Sequence, residues 1–302
     1  MKTSSVYIIV LISTFFWGAN FALALPILRD IPPLWAAALR FSLAALIMII
    51  YAAWRKEDLL TALRRHAAVY LLIGAIGIGG FNLLFFAAMR TASAGDAALI
   101  MGTNPLLTTL LAVIALGERP SASLLISLPL ALIGVIIVIS GGDIAHLMHI
   151  KIVSGDWLMI GANIAWAFYN VISRSAMPKL SALTNTTWVM TAGAIMLLAV
   201  AFSSTQQLVM PGIHAALSLL LMATGGTVLA YLFWNTGIAH LGASRTALFM
   251  NLIPVFALLV VAIMGQWPSG VQLVGGALVI TGVSITMLAP KKAVRSELAS
   301  RS

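Results

Sequence analysis

The side chains able to recognise a small molecule are few and oddly placed. Six asparagines, Asn20, Asn82, Asn104, Asn170, Asn235 and Asn251, lie inside long apolar runs, each with large soft side chains close by. Trp17 precedes Asn20, Phe81 and Phe85 flank Asn82, Trp166 and Tyr169 precede Asn170, and Tyr231 and Trp234 precede Asn235. Met101 stands three residues before Asn104, and Met250 directly before Asn251. An amide in such a run can bond a neighbouring helix, which contributes about 0.6 kcal/mol. It can equally orient a ligand in a pocket with aromatic walls and few polar groups. As a set, these residues are the candidate substrate-binding site, suited to a neutral and fairly hydrophobic metabolite.

The ionisable groups say as much by where they are not. The eight acids are Asp30, Glu57, Asp58, Asp96, Glu118, Asp143, Asp156 and Glu297, and none falls at the centre of an apolar run. Asp96 and Asp156 suit helix N-termini, where the backbone dipole favours a carboxylate. A proton or sodium relay needs ionisable groups at membrane depth, so movement down a gradient is the expectation. Arg40 is the one basic residue well inside a run. It can reach back to the interface or neutralise a helix end, or it can anchor a substrate carboxylate through two hydrogen bonds. His146 and His149 stand three apart with no third ligand in view, there are no cysteines, and no metal or other cofactor is expected. No Ser/His/Asp set or paired carboxylates point to an enzyme.

Pro105 and Pro254 interrupt two of the runs. Each removes a backbone donor and frees the carbonyl four residues earlier, which belongs to Met101 in one case and Met250 in the other. The result is either a packing kink or a pair of carbonyls facing a pathway and receiving an ammonium group. Ala94, Ala97, Ala98, Met101, Asn104 and Pro105 share one helical face, as do Ala243, Thr246, Ala247, Met250 and Pro254. The expectation is a central cavity with the two methionines on opposite walls.

The elements that must hold these residues follow from composition. The chain has 302 residues, 61% of them hydrophobic and 8% charged, with a mean hydropathy of +1.06. So little polar surface suits a lipid bilayer rather than water. The net charge of +9 forms no stripe that would suit nucleic acid. Runs of about 20 apolar residues can each cross the membrane, and ten are predicted: 5–25, 34–53, 67–88, 94–115, 122–140, 154–174, 182–202, 215–236, 243–264 and 269–289. The first continues too far beyond Lys2 to read as a cleaved signal. Helix-breaking or charged punctuation separates them, including Pro26 with Pro32 and Pro33. The fold class expected is an all-α integral membrane protein.

Basic residues orient it. With the N-terminus in the cytoplasm, thirteen of the 17 face that side: Lys2, Arg55, Lys56, Arg64, Arg65, Arg119, Arg174, Lys179, Arg245, Lys291, Lys292, Arg295 and Arg301. Arg29, Arg90 and Lys151 face the other. Both termini are then expected on the cytoplasmic side of the membrane. The halves also echo each other at a spacing of about 149: Trp17 with Trp166, Met101 with Met250, Pro105 with Pro254, and, at 148, Gly117 with Gly265 and Gly134 with Gly282. Five spans per half is an odd number, so two inverted repeats are expected, 1–148 and 149–302, with the site between them.

The Phe15-Phe16-Trp17-Gly18-Ala19-Asn20-Phe21 helix, the run from Asn104-Pro105 to Gly117-Glu118-Arg119-Pro120, and the Gly-Val pairs at 134–135 and 282–283 resemble the EamA family of drug/metabolite transporters. The narrower likeness is to YddG-type exporters of aromatic and other neutral amino acids. This resemblance, covering nearly the whole chain, implies a monomeric exporter of a small-molecule substrate working by alternating access, with a multidrug or other metabolite transporter of the same superfamily, or a passive channel, as the alternatives. Gly265-Gln266 departs from the Gly-Glu pattern, so no role of that acid passes to Gln266.

Overall fold

The computed structural model describes residues 2–92, 94–141 and 153–288, with the side chains of 94–96 excepted. Asp96, Asp143, His146, His149, Lys151, Glu297 and the four basic residues after 290 therefore lie outside what is described. The described chain is helical: α1 Thr3–Asp30, α2 Pro33–Trp54, α3 Leu59–Ala88, α4 94–116, α5 Ala122–Ser140, α6 Ser154–Ala176, α7 Ala182–Ser203, α8 Ile213–Leu241, α9 Ala243–Ile263 and α10 Gly270–Leu288. Among the described residues, nine of these helices are long and apolar enough to cross a membrane. The exception is α6, which carries Asp156, Asn163, Asn170 and Arg174 along its length.

The outer surface is apolar. Leu46, Ile50, Ile114, Ile126, Ile195 and Leu273 all point away from the protein, an arrangement that lipid satisfies and water does not. Trp54, Trp157 and Trp267 are exposed at helix ends, where aromatic rings sit at a membrane interface.

Several helices differ from expectation in instructive ways. Pro26 does not end α1, which runs on to Asp30, so Arg29 comes to lie in a last turn that favours a cation. α3 starts before the expected span at 67. His66 leaves helical geometry there (φ −129°, ψ 16°), separating a short first segment from the apolar one. Both α3 and α8 contain a π-helical turn, at Ala75–Gly80 and Thr224–Leu229. These turns are 149 residues apart.

The prolines of α4 and α9 also do less than expected. α4 breaks at Thr103, and Pro105 sits in the first turn of the new helix Asn104–Leu116, where no backbone donor is required. α9 passes through a 3-10 segment, Phe249–Leu252, ahead of Pro254, and the Met250 carbonyl accepts from the Ile253 N–H. At the α4 break, the carbonyl that collects donors belongs to Ile100, not Met101: Thr103 N (3.1 Å), Thr103 Oγ1 (2.7 Å) and Asn163 Nδ2 (2.7 Å) all donate to it.

Packing pairs the halves. α2 lies along α7 and α5 along α10. α1 packs on α8 and α9, and α6 packs on α3 and α4. The α5–α10 crossing needs glycine for close approach, since a Cβ on Gly134 would stand 2.7 Å from the Gly275 carbonyl oxygen.

Acids bind the crossing points. Glu118 follows Gly117 in the loop after α4, and its carboxylate accepts from Ala243 N (3.3 Å) and Ser244 Oγ (2.7 Å) at the start of α9. Asp30 accepts from Gly212 N (2.9 Å) before α8. Glu57 accepts from Ser181 Oγ and Thr184 Oγ1, both at 2.7 Å, at the start of α7. Three loops of the first half thus cap three helices of the second, each placing an anion at a positive helix end.

Candidate functional site

The centre of the bundle is an aromatic cluster. α1 contributes Trp17, α3 Phe81, α6 Trp166 and Tyr169, and α8 Tyr231 and Trp234. Trp17 meets Trp234 at 4.8 Å between ring centroids, Trp166 at 5.5 Å and Tyr231 at 5.7 Å. Trp166 stacks on Tyr169 at 4.9 Å and meets Phe81 at 5.3 Å. Such contacts favour offset and edge-to-face geometry, and most of these pairs are edge-to-face or tilted. The rings expected to line an open cavity here pack directly against one another.

Polar atoms at the cluster rim are mostly paired. Tyr169 donates its hydroxyl to Asn235 Oδ1 (2.7 Å), and Asn235 Nδ2 donates to Thr186 Oγ1 (3.0 Å). Trp234 donates to Asn170 Oδ1 (2.8 Å), while Asn170 Nδ2 finds no partner among the described residues. Trp166 donates to the Met250 sulfur at 3.0 Å. Trp17 donates to the Gly226 carbonyl of the α8 π turn at 3.1 Å.

Other candidates lie further out. Asn104 is tied into the junction of α4 with α6: it donates to the Asn163 carbonyl and Oδ1 (3.0 and 2.6 Å) and accepts from Thr108. Phe85 packs with Met101 against Ala88, Ala97 and Met159, beside the cluster rather than within it. Asn251, in the 3-10 segment of α9, is buried with its Oδ1 unpartnered among the described residues. Asn82 donates to the Ile78 carbonyl at 2.7 Å and borders a small cavity.

That cavity, of about 50 Å³, lies between the last turns of α1, the first turns of α2, the end of α3 and the first part of α8. Arg40 and Asn82 are its polar lining residues. Arg40 donates through Nε to Thr227 Oγ1 (2.7 Å) and through Nη2 to the Gly226 carbonyl (3.0 Å). With the Asn20 amide turned to satisfy its neighbours, its oxygen accepts from Nη2 at 3.1 Å. The Gly226 carbonyl therefore joins Arg40 to Trp17.

Sequence reasoning missed Asn163 and Thr227, which stand one at the α4 break and one in the π turn. The glycines Gly77, Gly79, Gly80, Gly225 and Gly226 were the available signal for the π turns. At the spacing of 149 that relates the two turns, Asn20 corresponds to Tyr169. A Cβ on Gly226 would lie 2.7 Å from the Asn20 amide carbon, and one on Gly77 would lie 2.7 Å from the Tyr169 Cβ.

The sequence profile of the EamA-like transporter family matches residues 4–140 and, again, 153–288. The chain belongs to the EamA-like transporter family. The Bacillus subtilis transporter YyaM is 36% identical over 285 residues, covering 94% of this chain and 93% of that protein. A Salmonella typhimurium protein described as a probable amino-acid metabolite efflux pump is 29% identical over 287 residues, covering 90% of this chain and 91% of its own. One crystal structure shares the fold with a TM-score of 0.78 at 22% identity, over 94% of this chain and 96% of that one. As an EamA-like transporter, the chain is a multi-pass membrane protein that moves a small molecule rather than an enzyme. Among the described residues, no group of three His, Asp or Glu side chains could hold a metal ion.

Proposed function

We propose that this EamA-like transporter exports small neutral metabolites of the amino-acid kind, as YddG-type exporters do. In this reading all ten helices span the inner membrane as two inverted five-helix repeats, and alternating access moves substrate through the aromatic cluster. The observation that carries it is the difference between repeat-related tryptophans in the same structure. Trp17 bonds the carbonyl of the α8 π turn, while its counterpart Trp166 bonds a methionine sulfur instead. Two related halves holding different side-chain arrangements are what one state of such a transporter requires. The family's double match and the paired π turns support the repeats.

The described acids support movement without an ion gradient. Asp30, Glu57, Asp58, Glu118 and Asp156 each accept hydrogen bonds at a helix N-terminus. Asp156 is the buried one among them, with one oxygen bonded to the Val153 N–H and the other without a partner among the described residues. Labelled neutral amino acids should cross liposomes containing the purified protein with no proton or sodium gradient imposed, and Met101→Trp should stop that flux while the protein still folds. Flux that appears only under an imposed gradient contradicts the uncoupled reading. Unimpaired flux in Met101→Trp places the pathway away from that face of α4.

A further inference from the structure

Arg40 carries a charge that the protein does not balance. It lies seven residues into α2, about 10 Å from the helix start. A charge at that depth is costly unless it is paired. Its partners here are all neutral: the Thr227 hydroxyl, the Gly226 carbonyl, the Asn20 amide and the Phe41 ring, whose centroid is 5.1 Å from the guanidinium carbon. Among the described residues, no carboxylate lies within ion-pair distance, and each described acid is engaged elsewhere.

Structural support alone does not account for the guanidinium. The Gly226 carbonyl already accepts from Trp17, so the π turn could be satisfied without a cation. A guanidinium has five N–H donors in a planar fork. Nε and Nη2 are used, and no hydrogen bond among the described residues engages Nη1. The group borders the cavity beside Asn82. The position 149 residues on, at the related place in α7, is Val189, which is fully buried. Only one of the two related places carries the charge.

We propose that Arg40, flanked by Asn20 and Asn82, is the seat of a substrate carboxylate, so that the exported class is zwitterionic rather than aminic. This rests on the exporter reading and narrows it. The counter-charge then arrives with the ligand, and a carboxylate can take paired, charge-assisted hydrogen bonds from the fork. The cavity has room for that group or a few waters. The remainder of an amino acid fits only once the rings of Trp17 and its neighbours part. The shared Gly226 carbonyl links the seat to that movement.

The test compares flux of phenylalanine and leucine with that of phenylalaninamide and leucinamide in liposomes. The amides keep the side chain and amine but replace the carboxylate with a neutral group. The acids should cross about tenfold faster or more, the loss expected for a charged hydrogen bond. Arg40→Gln should bring the acid-to-amide ratio close to one, and Arg40→Lys should keep part of it. Amides that match the acids in the wild-type protein overturn the site, and that comparison needs no variant to fold. A folded Arg40→Gln protein with the wild-type ratio overturns it as well. Amide flux equal to acid flux leaves the exporter reading intact, whereas no flux for any neutral amino acid removes both. Chloride that protects the purified protein from heating as well as phenylalanine does would make Arg40 an inorganic-anion site instead.

Discussion

At the residue scale, the polar side chains of the core work as paired donors and acceptors, and one substitution can expose the pairing. Tyr169 is fully buried and gives its only donor to Asn235. Tyr169→Phe keeps the ring stack on Trp166 but leaves the Asn235 oxygen buried without that donor. Thermal unfolding in detergent should show a loss of about 1–3 kcal/mol. A variant as stable as the parent would mean that Asn235 turns to another donor. Residue types were legible in the sequence because an amide or a cation in an apolar run stands out. Their partners were not, because a hydrogen bond such as Asn104 to Asn163 joins positions 59 residues apart, and periodicity along one helix carries no information about its neighbour.

Helices in this protein are defined by where they break and what holds their ends. Nine of the expected spans coincide with described helices long and apolar enough to cross a bilayer, because each must match its thickness. The breaks were harder: a proline suggested a kink, but its effect depended on whether a new helix started just before it, as at Asn104. The Gly117-Glu118 pair shows what a loop motif can be for. Gly117 adopts the left-handed conformation (φ 63°) that ends α4, and the acid after it caps α9. Gln266, which follows Gly265 in the second half, has no charge to offer a helix dipole. Glu118→Ala should destabilise the protein by about 1 kcal/mol, and Glu118→Gln by less, because an amide oxygen still accepts. Equal melting temperatures for both variants and the parent would show that α9 does not depend on this cap.

For the whole molecule, orientation rests on the thirteen basic residues assigned to one side and the three assigned to the other. A cysteine introduced at Lys151 of this cysteine-free chain should react with an impermeant reagent added to intact cells. Tags at Met1 and Ser302 should stay protected. Labelling of the C-terminal tag from outside would remove one span from the count.

The three acid caps that cross between the halves also bear on how the protein could be assembled. Asp30, Glu57 and Glu118 lie in the first half, and the helix starts they hold lie in the second. The α2–α7 and α5–α10 contacts cross the same divide. Recognition between the halves is thus written into their surfaces, and joining them in one chain adds effective concentration rather than the contacts themselves. Fragments 1–141 and 153–302 produced together in one membrane should complement each other and co-purify as a working transporter. Replacing Asp30, Glu57 and Glu118 together should weaken that complementation far more than it weakens the intact chain.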